Sequence, residues 1–118
     1  MAARDDDAPP PTFPELFVIY SNFDLKKGVV LEGTVKYEKI LLSQADFWMQ
    51  KANLIGKDLT LTETGIAFNK YKKWRLNFEE FHEYLENICK AKHLDINEVT
   101  ELLTQVGPPT ASDMVKIT

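Results

Sequence analysis

The sequence predicts a small all-α domain, a bundle of about five helices with one very short two-stranded β pairing. Three observations predict it. Apolar residues recur at helical spacing in five separate windows. Most windows open on a Ser, Thr, Asn or Asp followed three residues later by an acidic side chain, the pattern of a capped helix start. The extended pieces next to capped starts, 59–61 and 75–76, are too short to build more than a single pairing.

The first helix is expected over 13–23. Thr12 and Glu15 form a capping box, Pro14 suits the first turn, and Phe13, Leu16, Phe17, Tyr20 and Phe23 share one face. Residues 24–42 read two ways, as a hairpin of 29–31 with 34–37 or as an irregular loop. Ser43 and Asp46 resemble a capping box for a second helix, with Ala45, Trp48, Met49, Ala52 and Ile55 as its stripe and Gly56 as its stop. Leu59-Thr60-Leu61 reads as a short strand, and Thr62 as the cap of a third helix over 63–73 that offers Ile66, Ala67, Phe68 and Tyr71. Arg75-Leu76 is the second extended piece. Asn77 and Glu80 cap a fourth helix reaching about Lys92, with Phe78, Phe81, Leu85 and Ile88 inward. Asp95 and Glu98 open a fifth, with Ile96, Val99, Leu102, Leu103 and Val106 inward, ended by Gly107-Pro108-Pro109.

Composition sets the bounds. A chain of 118 residues and 13.5 kDa with 44% hydrophobic and 27% charged residues fits one domain. At that mass about two thirds of the unfolded surface is buried, enough for a core without staples. Residues 1–11, MAARDDDAPPP, read as a disordered acidic and Pro-rich tail, 12–107 as the core domain, and 108–118 as a linker or the start of a tail. The net charge of −4 argues against a general nucleic-acid binder. The longest apolar runs are too short to span a membrane, and Cys89 stands without a disulfide partner. The expected address is the reducing cytoplasm.

Two short extended pieces, each before a capped helix, suggest an EF-hand-like pair, in which the two loops join side by side. Leu76-Asn77-Phe78-Glu79-Glu80-Phe81 matches the end of such a loop, with Leu76 in eighth and Glu80 in twelfth place. Counting back, Asn69, Tyr71 and Lys73 take the first, third and fifth places, and Trp74 the sixth. Calcium asks for oxygen ligands at those first places and Gly at the sixth, so a lysine there opposes it. With Leu61 as its eighth residue, the other loop keeps only Asp58 as a carboxylate. The architecture is therefore expected without calcium, and no cofactor is expected.

Catalytic patterns are missing. No Gly-rich phosphate loop, Gly-x-Ser-x-Gly or Cys-x-x-Cys occurs, so the chain is not expected to be an enzyme. His82, Glu86, Cys89 and His93 fall on one side of the fourth helix and are all permissible zinc ligands. One straight helix cannot wrap four ligands around an ion, so at most weak zinc binding is expected. A metal-responsive adaptor, answering to zinc or calcium, is accordingly the alternative function. Lys70, Lys72, Lys73 and Arg75, interleaved with Tyr71 and Trp74, make a basic-aromatic run. Such runs are most often solvated surface, and otherwise suit an acidic protein partner. Reversing Lys72 and Lys73 to Glu is then expected to weaken partner binding without cost to stability.

The stretch 43–89 resembles the core domain of the tubulin polymerization-promoting protein family. The resemblance is carried by Phe47 to Lys51, Leu59-Thr60-Leu61-Thr62-Glu63, Ile66-Ala67-Phe68-Asn69-Lys70, and Leu76-Asn77-Phe78-Glu79-Glu80-Phe81. It extends more weakly over 13–106. It implies an EF-hand-like helical fold without calcium sites, binding to tubulin and microtubules, promotion of polymerization, microtubule bundling, and a cytoskeletal location. Microtubules present an acidic outer face, so Lys70, Lys72, Lys73, Trp74 and Arg75 become the expected contact residues.

Overall fold

The computed structural model describes residues 9–31, 36–56 and 59–113. Among the described residues the architecture is carried by the helices α1 Phe13–Ser21, α2 Leu42–Lys51, α3 Leu61–Asn69, α4 Phe78–Lys92 and α5 Ile96–Gln105. Four two-residue strands lie between them: β1 Phe23–Asp24, β2 Val29–Val30, β3 Ile40–Leu41 and β4 Arg75–Leu76. The first pair is a hairpin closed at Gly28, whose positive φ of 71° suits glycine. The second joins the two halves, with Ile40 opposite Leu76 and Leu41 opposite Arg75.

That second pairing confirms an EF-hand-like pair but corrects its register. Residues 59–61 form no strand: Thr60 caps α3, and Leu61 is already its first residue. Thr60 rather than Thr62 is the cap because its hydroxyl accepts the Glu63 amide while Glu63 returns a carboxylate to the Thr60 amide at 3.0 Å. The strand that pairs with β4 comes instead from 40–41, within the segment that reads two ways. The β1–β2 hairpin differs from the expected pairing of 29–31 with 34–37, since β2 turns back onto Phe23–Asp24. Residues 34–35 lie outside the described residues, as do 1–8 of the expected tail and Asp58.

Caps explain most remaining boundaries. Thr12 with Glu15 and Asn77 with Glu80 form capping boxes, and the Asp95 side chain accepts the Asn97 amide. Ser43 and Asp46 do not cap α2, which begins one residue earlier. Gln44 does so from within the helix, accepting the Leu41 amide at 2.9 Å. The helix also stops short of Gly56, where Asn53 takes a left-handed conformation at φ 60°.

Aromatic side chains from α1, α2 and α4 fill the centre. Trp48 is fully buried, stacks on Tyr20 at 4.5 Å, and lies 5.7 Å from Phe81. Its indole N–H donates to the Leu103 carbonyl at 2.9 Å, so α5 satisfies the one polar atom that burial would otherwise orphan. Phe68, Phe81 and Leu85 are buried as expected, and Phe78 packs at the edge against Phe13 and Phe17. Ile66 and Leu102 depart from expectation and face outward. After α5 the chain folds back onto α2: Tyr20 donates to the Gly107 carbonyl, and Lys51 reaches both the Pro108 carbonyl and the Asp113 carboxylate at 2.8 Å. The described part of the expected linker, 108–113, is thus packed on the domain.

Candidate functional site: two loops closed by the chain's own cations

The corrected register gives each loop a definite twelfth residue. With Leu76 eighth, the second loop ends on Glu80; with Ile40 eighth, the first ends on Gln44. In a calcium-binding loop the twelfth side chain grips the ion, and the carbonyl of the seventh residue is a further ligand. Here both positions face cations of the protein itself. The Lys73 ammonium contacts the Glu80 carboxylate from the fifth place of the same loop. It is the largest influence holding the Glu80 carboxyl below its ordinary range, ahead of the Asn77 amide. In the first loop the seventh residue is Lys39, and its carbonyl accepts from the Arg75 guanidinium at 2.8 Å. Gln44, neutral where an acid would stand, donates to the carbonyls of Ser21 and Phe23 at 3.1 Å each. An amide needs no counter-ion, so this loop closes by hydrogen bonds.

Arg75 does more than meet one carbonyl. It also approaches the Ser21 carbonyl at 3.4 Å, and it lies over the Tyr37 ring at 3.8 Å. Asn22 completes the loop: its amide donates to the carbonyls of Val18 and Tyr37, and its oxygen accepts the Tyr37 amide. A residue of the second loop therefore braces the first. On the second loop's flank, the Tyr71 hydroxyl donates to Glu83 at 2.7 Å; burial, then that carboxylate, push its pKa up to about 12.

The basic-aromatic run divides accordingly. Lys73 and Arg75 are engaged with loop acceptors, Lys73 through an ion pair that leaves its side chain half-exposed. Lys70 and Lys72 stand exposed and take part in no ion pair among the described residues. Trp74 is 89% exposed. Lys72 holds a left-handed backbone at φ 53°, which turns the chain so that Trp74 projects outward while Arg75 turns back to the first loop.

The expected zinc residues are not gathered. His82 and Glu86 face each other at 3.8 Å on α4, Cys89 is buried beneath them, and His93 ends the helix in a left-handed conformation. Burial raises the Cys89 thiol pKa, which disfavours the thiolate a metal needs. Among the described residues no group of three or more His, Cys, Asp and Glu is placed to hold a metal ion. None of their helices is long and apolar enough to cross a membrane.

One internal site has no sequence signature. Asp46, half-buried on α2, meets the Thr64 hydroxyl of α3 at 2.8 Å, and that hydroxyl also lies 3.0 Å from the Leu61 carbonyl. The Thr64 hydroxyl is the donor to the Asp46 carboxylate, and the Leu61 carbonyl lies within reach of the same proton. Burial pushes the Asp46 pKa up to about 6, against which the Thr64 hydrogen bond works only in part.

Fold and loops together define a class: an EF-hand-like pair of helix–loop–helix units, one loop closed by an ion pair and the other by hydrogen bonds. The p25-alpha family model matches residues 26–118, and the chain belongs to that family, the family of tubulin polymerization-promoting proteins. Among curated proteins and solved structures, none matches the chain.

Proposed function

We propose that this protein is a non-enzymatic tubulin- and microtubule-binding protein that promotes polymerization and bundles or stabilises microtubules on the cytoplasmic cytoskeleton. Membership of the p25-alpha family supports the partner. The observation that carries the contact surface is the Trp74 side chain, 89% exposed on the same turn of the sequence as the exposed Lys70 and Lys72. A tryptophan left in water costs solvation that burial against a partner recovers, and such residues are the commonest interface anchors. The flanking ammonium groups supply attraction to an acidic surface even though the chain is acidic overall.

This surface is narrower than the basic run itself. Lys73 and Arg75 hold the loops, so Lys70, Lys72 and Trp74 are the contact residues. Charge reversal at Lys72 and Lys73 together is a poor test, because a glutamate at 73 would face Glu80. The test is co-sedimentation of the full chain with microtubules over a salt series. Binding should weaken as salt shortens the Debye length to ~8 Å and below, and Trp74→Ala should weaken it at every salt concentration. Binding that ignores both salt and Trp74→Ala removes this surface from the interface.

A further inference from the structure

The Ile66-Ala67-Phe68-Asn69-Lys70 stretch has two faces. Phe68 is buried, whereas Ile66 is 60% exposed and stands one helical turn from Lys70 on the outward side of α3. Between α3 and α4 runs an open groove whose apolar lining is Leu59, Ile66, Ala67, Ile88 and Ala91. Its polar rim holds two lysines, Lys70 and Lys92, against a single carboxylate, Glu63. That carboxylate is already satisfied: it accepts from the Thr60 amide and hydroxyl, and from the Lys92 ammonium at 2.8 Å. Lys70 takes part in no ion pair among the described residues. In a chain of net charge −4, the groove is a local apolar surface with cationic excess.

We infer that the α3–α4 groove binds an acidic, apolar segment of a protein partner, seating an aliphatic side chain against Ile66 and Ile88 and a carboxylate on Lys70. The charge selects the occupant: among the described residues of the lining a basic segment meets Lys70 and finds no free acid, while a purely apolar one leaves the ammonium unanswered. Lys70 lines the groove and stands four residues before Trp74, so one partner can reach both. The inference rests on the tubulin-binding reading only for which protein supplies that segment.

Two probes separate the two statements. The first is a fluorescein-labelled peptide of alternating Leu and Glu pairs, titrated into the full chain and followed by fluorescence anisotropy. The second is microtubule co-sedimentation. Ile66→Ser and Lys70→Glu alter exposed positions, and circular dichroism checks that both stay folded. Each should weaken peptide binding roughly fivefold or more, the loss of one anchor contact, and should weaken microtubule binding as well. Peptide binding that depends on Ile66 in a chain that does not pellet with microtubules upholds the groove and sinks the tubulin reading. Microtubule binding untouched by Ile66→Ser, or no peptide binding by the unaltered chain, overturns the groove and leaves the tubulin reading standing. A concentration-dependent dimer abolished by Ile66→Ser assigns the groove to a second copy and likewise overturns the inference.

Discussion

The two loops solve the same problem differently. The second, residues 69–80, is self-contained, with its own Lys73 placed against its own Glu80. The first, ending on Ile40 and Gln44, draws on the Asn22 network and the Gln44 amide, and it borrows Arg75 from its neighbour. An ammonium can replace a metal where a carboxylate remains to grip it. Where the twelfth residue is an amide, neutral hydrogen bonds and one guanidinium on a carbonyl serve instead. The difference teaches that each loop holds its geometry through contacts fitted to the charge of its twelfth residue, an ammonium on Glu80 and neutral hydrogen bonds at Gln44.

Substitutions break or sharpen this contrast. The largest effect is expected where the halves share a core. Phe81 lies within about 6 Å of Phe17, Trp48 and Tyr84, on three different elements, and Phe81→Ala should cost about 3–5 kcal/mol by cavity formation. Denaturant unfolding checks it, and both halves should lose protection together. Next comes Arg75→Ala, which deprives the Lys39 carbonyl of its donor and Tyr37 of its cation. A loss of about 1–3 kcal/mol is expected, with amide shifts concentrated in residues 36–41 of the first loop rather than in the second. Equal disturbance of both loops would contradict the borrowing.

The contrast also marks what was legible in the sequence. The second half announces itself through Leu76 followed by Asn77, Glu80 and Phe81, because its twelfth residue is still an acid and its cap is a standard one. The first half hides. Its eighth residue, Ile40, lies in a stretch without clear periodicity, and its twelfth, Gln44, carries no charge to point to a loop end. Leu59-Thr60-Leu61 attracted the strand assignment through β propensity, but Thr60 and Glu63 make a better cap than strand. An isoleucine four residues before a glutamine at a helix start was the signal available. For the candidate surface, the sequence picks out the basic-aromatic run and not its division, since only tertiary placement puts Lys73 on Glu80 and Arg75 on Lys39.

A smaller effect belongs to the seam between α2 and α3. The Asp46 pKa is raised to about 6 from an unfolded value near 3.8. The folded state therefore holds the proton more tightly, so this group's stabilisation is complete below about pH 4 and is lost as pH rises through 6. The two-unit shift is discounted for partial solvation of the carboxyl, leaving on the order of 1 kcal/mol. Asp46→Asn should flatten the stability profile between pH 4 and 7, measured by thermal melts across that range. A profile that keeps its slope would assign the titration to another group.

The smallest effect is expected at Lys73, whose ion pair with Glu80 is partly exposed. Lys73→Met should cost about 1 kcal/mol or less. Calcium at millimolar concentration should leave the melting temperature of the unaltered chain in place, since a ligand binding only the folded state must raise it. A clear rise would mean that the metal displaces the ammonium.

The central claim is that the cations of the basic-aromatic run fall into two sets, one closing the loops and one facing a partner. Microtubule co-sedimentation of Lys70→Glu/Lys72→Glu beside Lys73→Met tests it most directly. The account expects the double reversal to lower the pelleted fraction several-fold at physiological salt, with an unchanged melting temperature, while Lys73→Met pellets like the unaltered chain. Loss of binding in Lys73→Met equal to that of the double reversal would contradict the division.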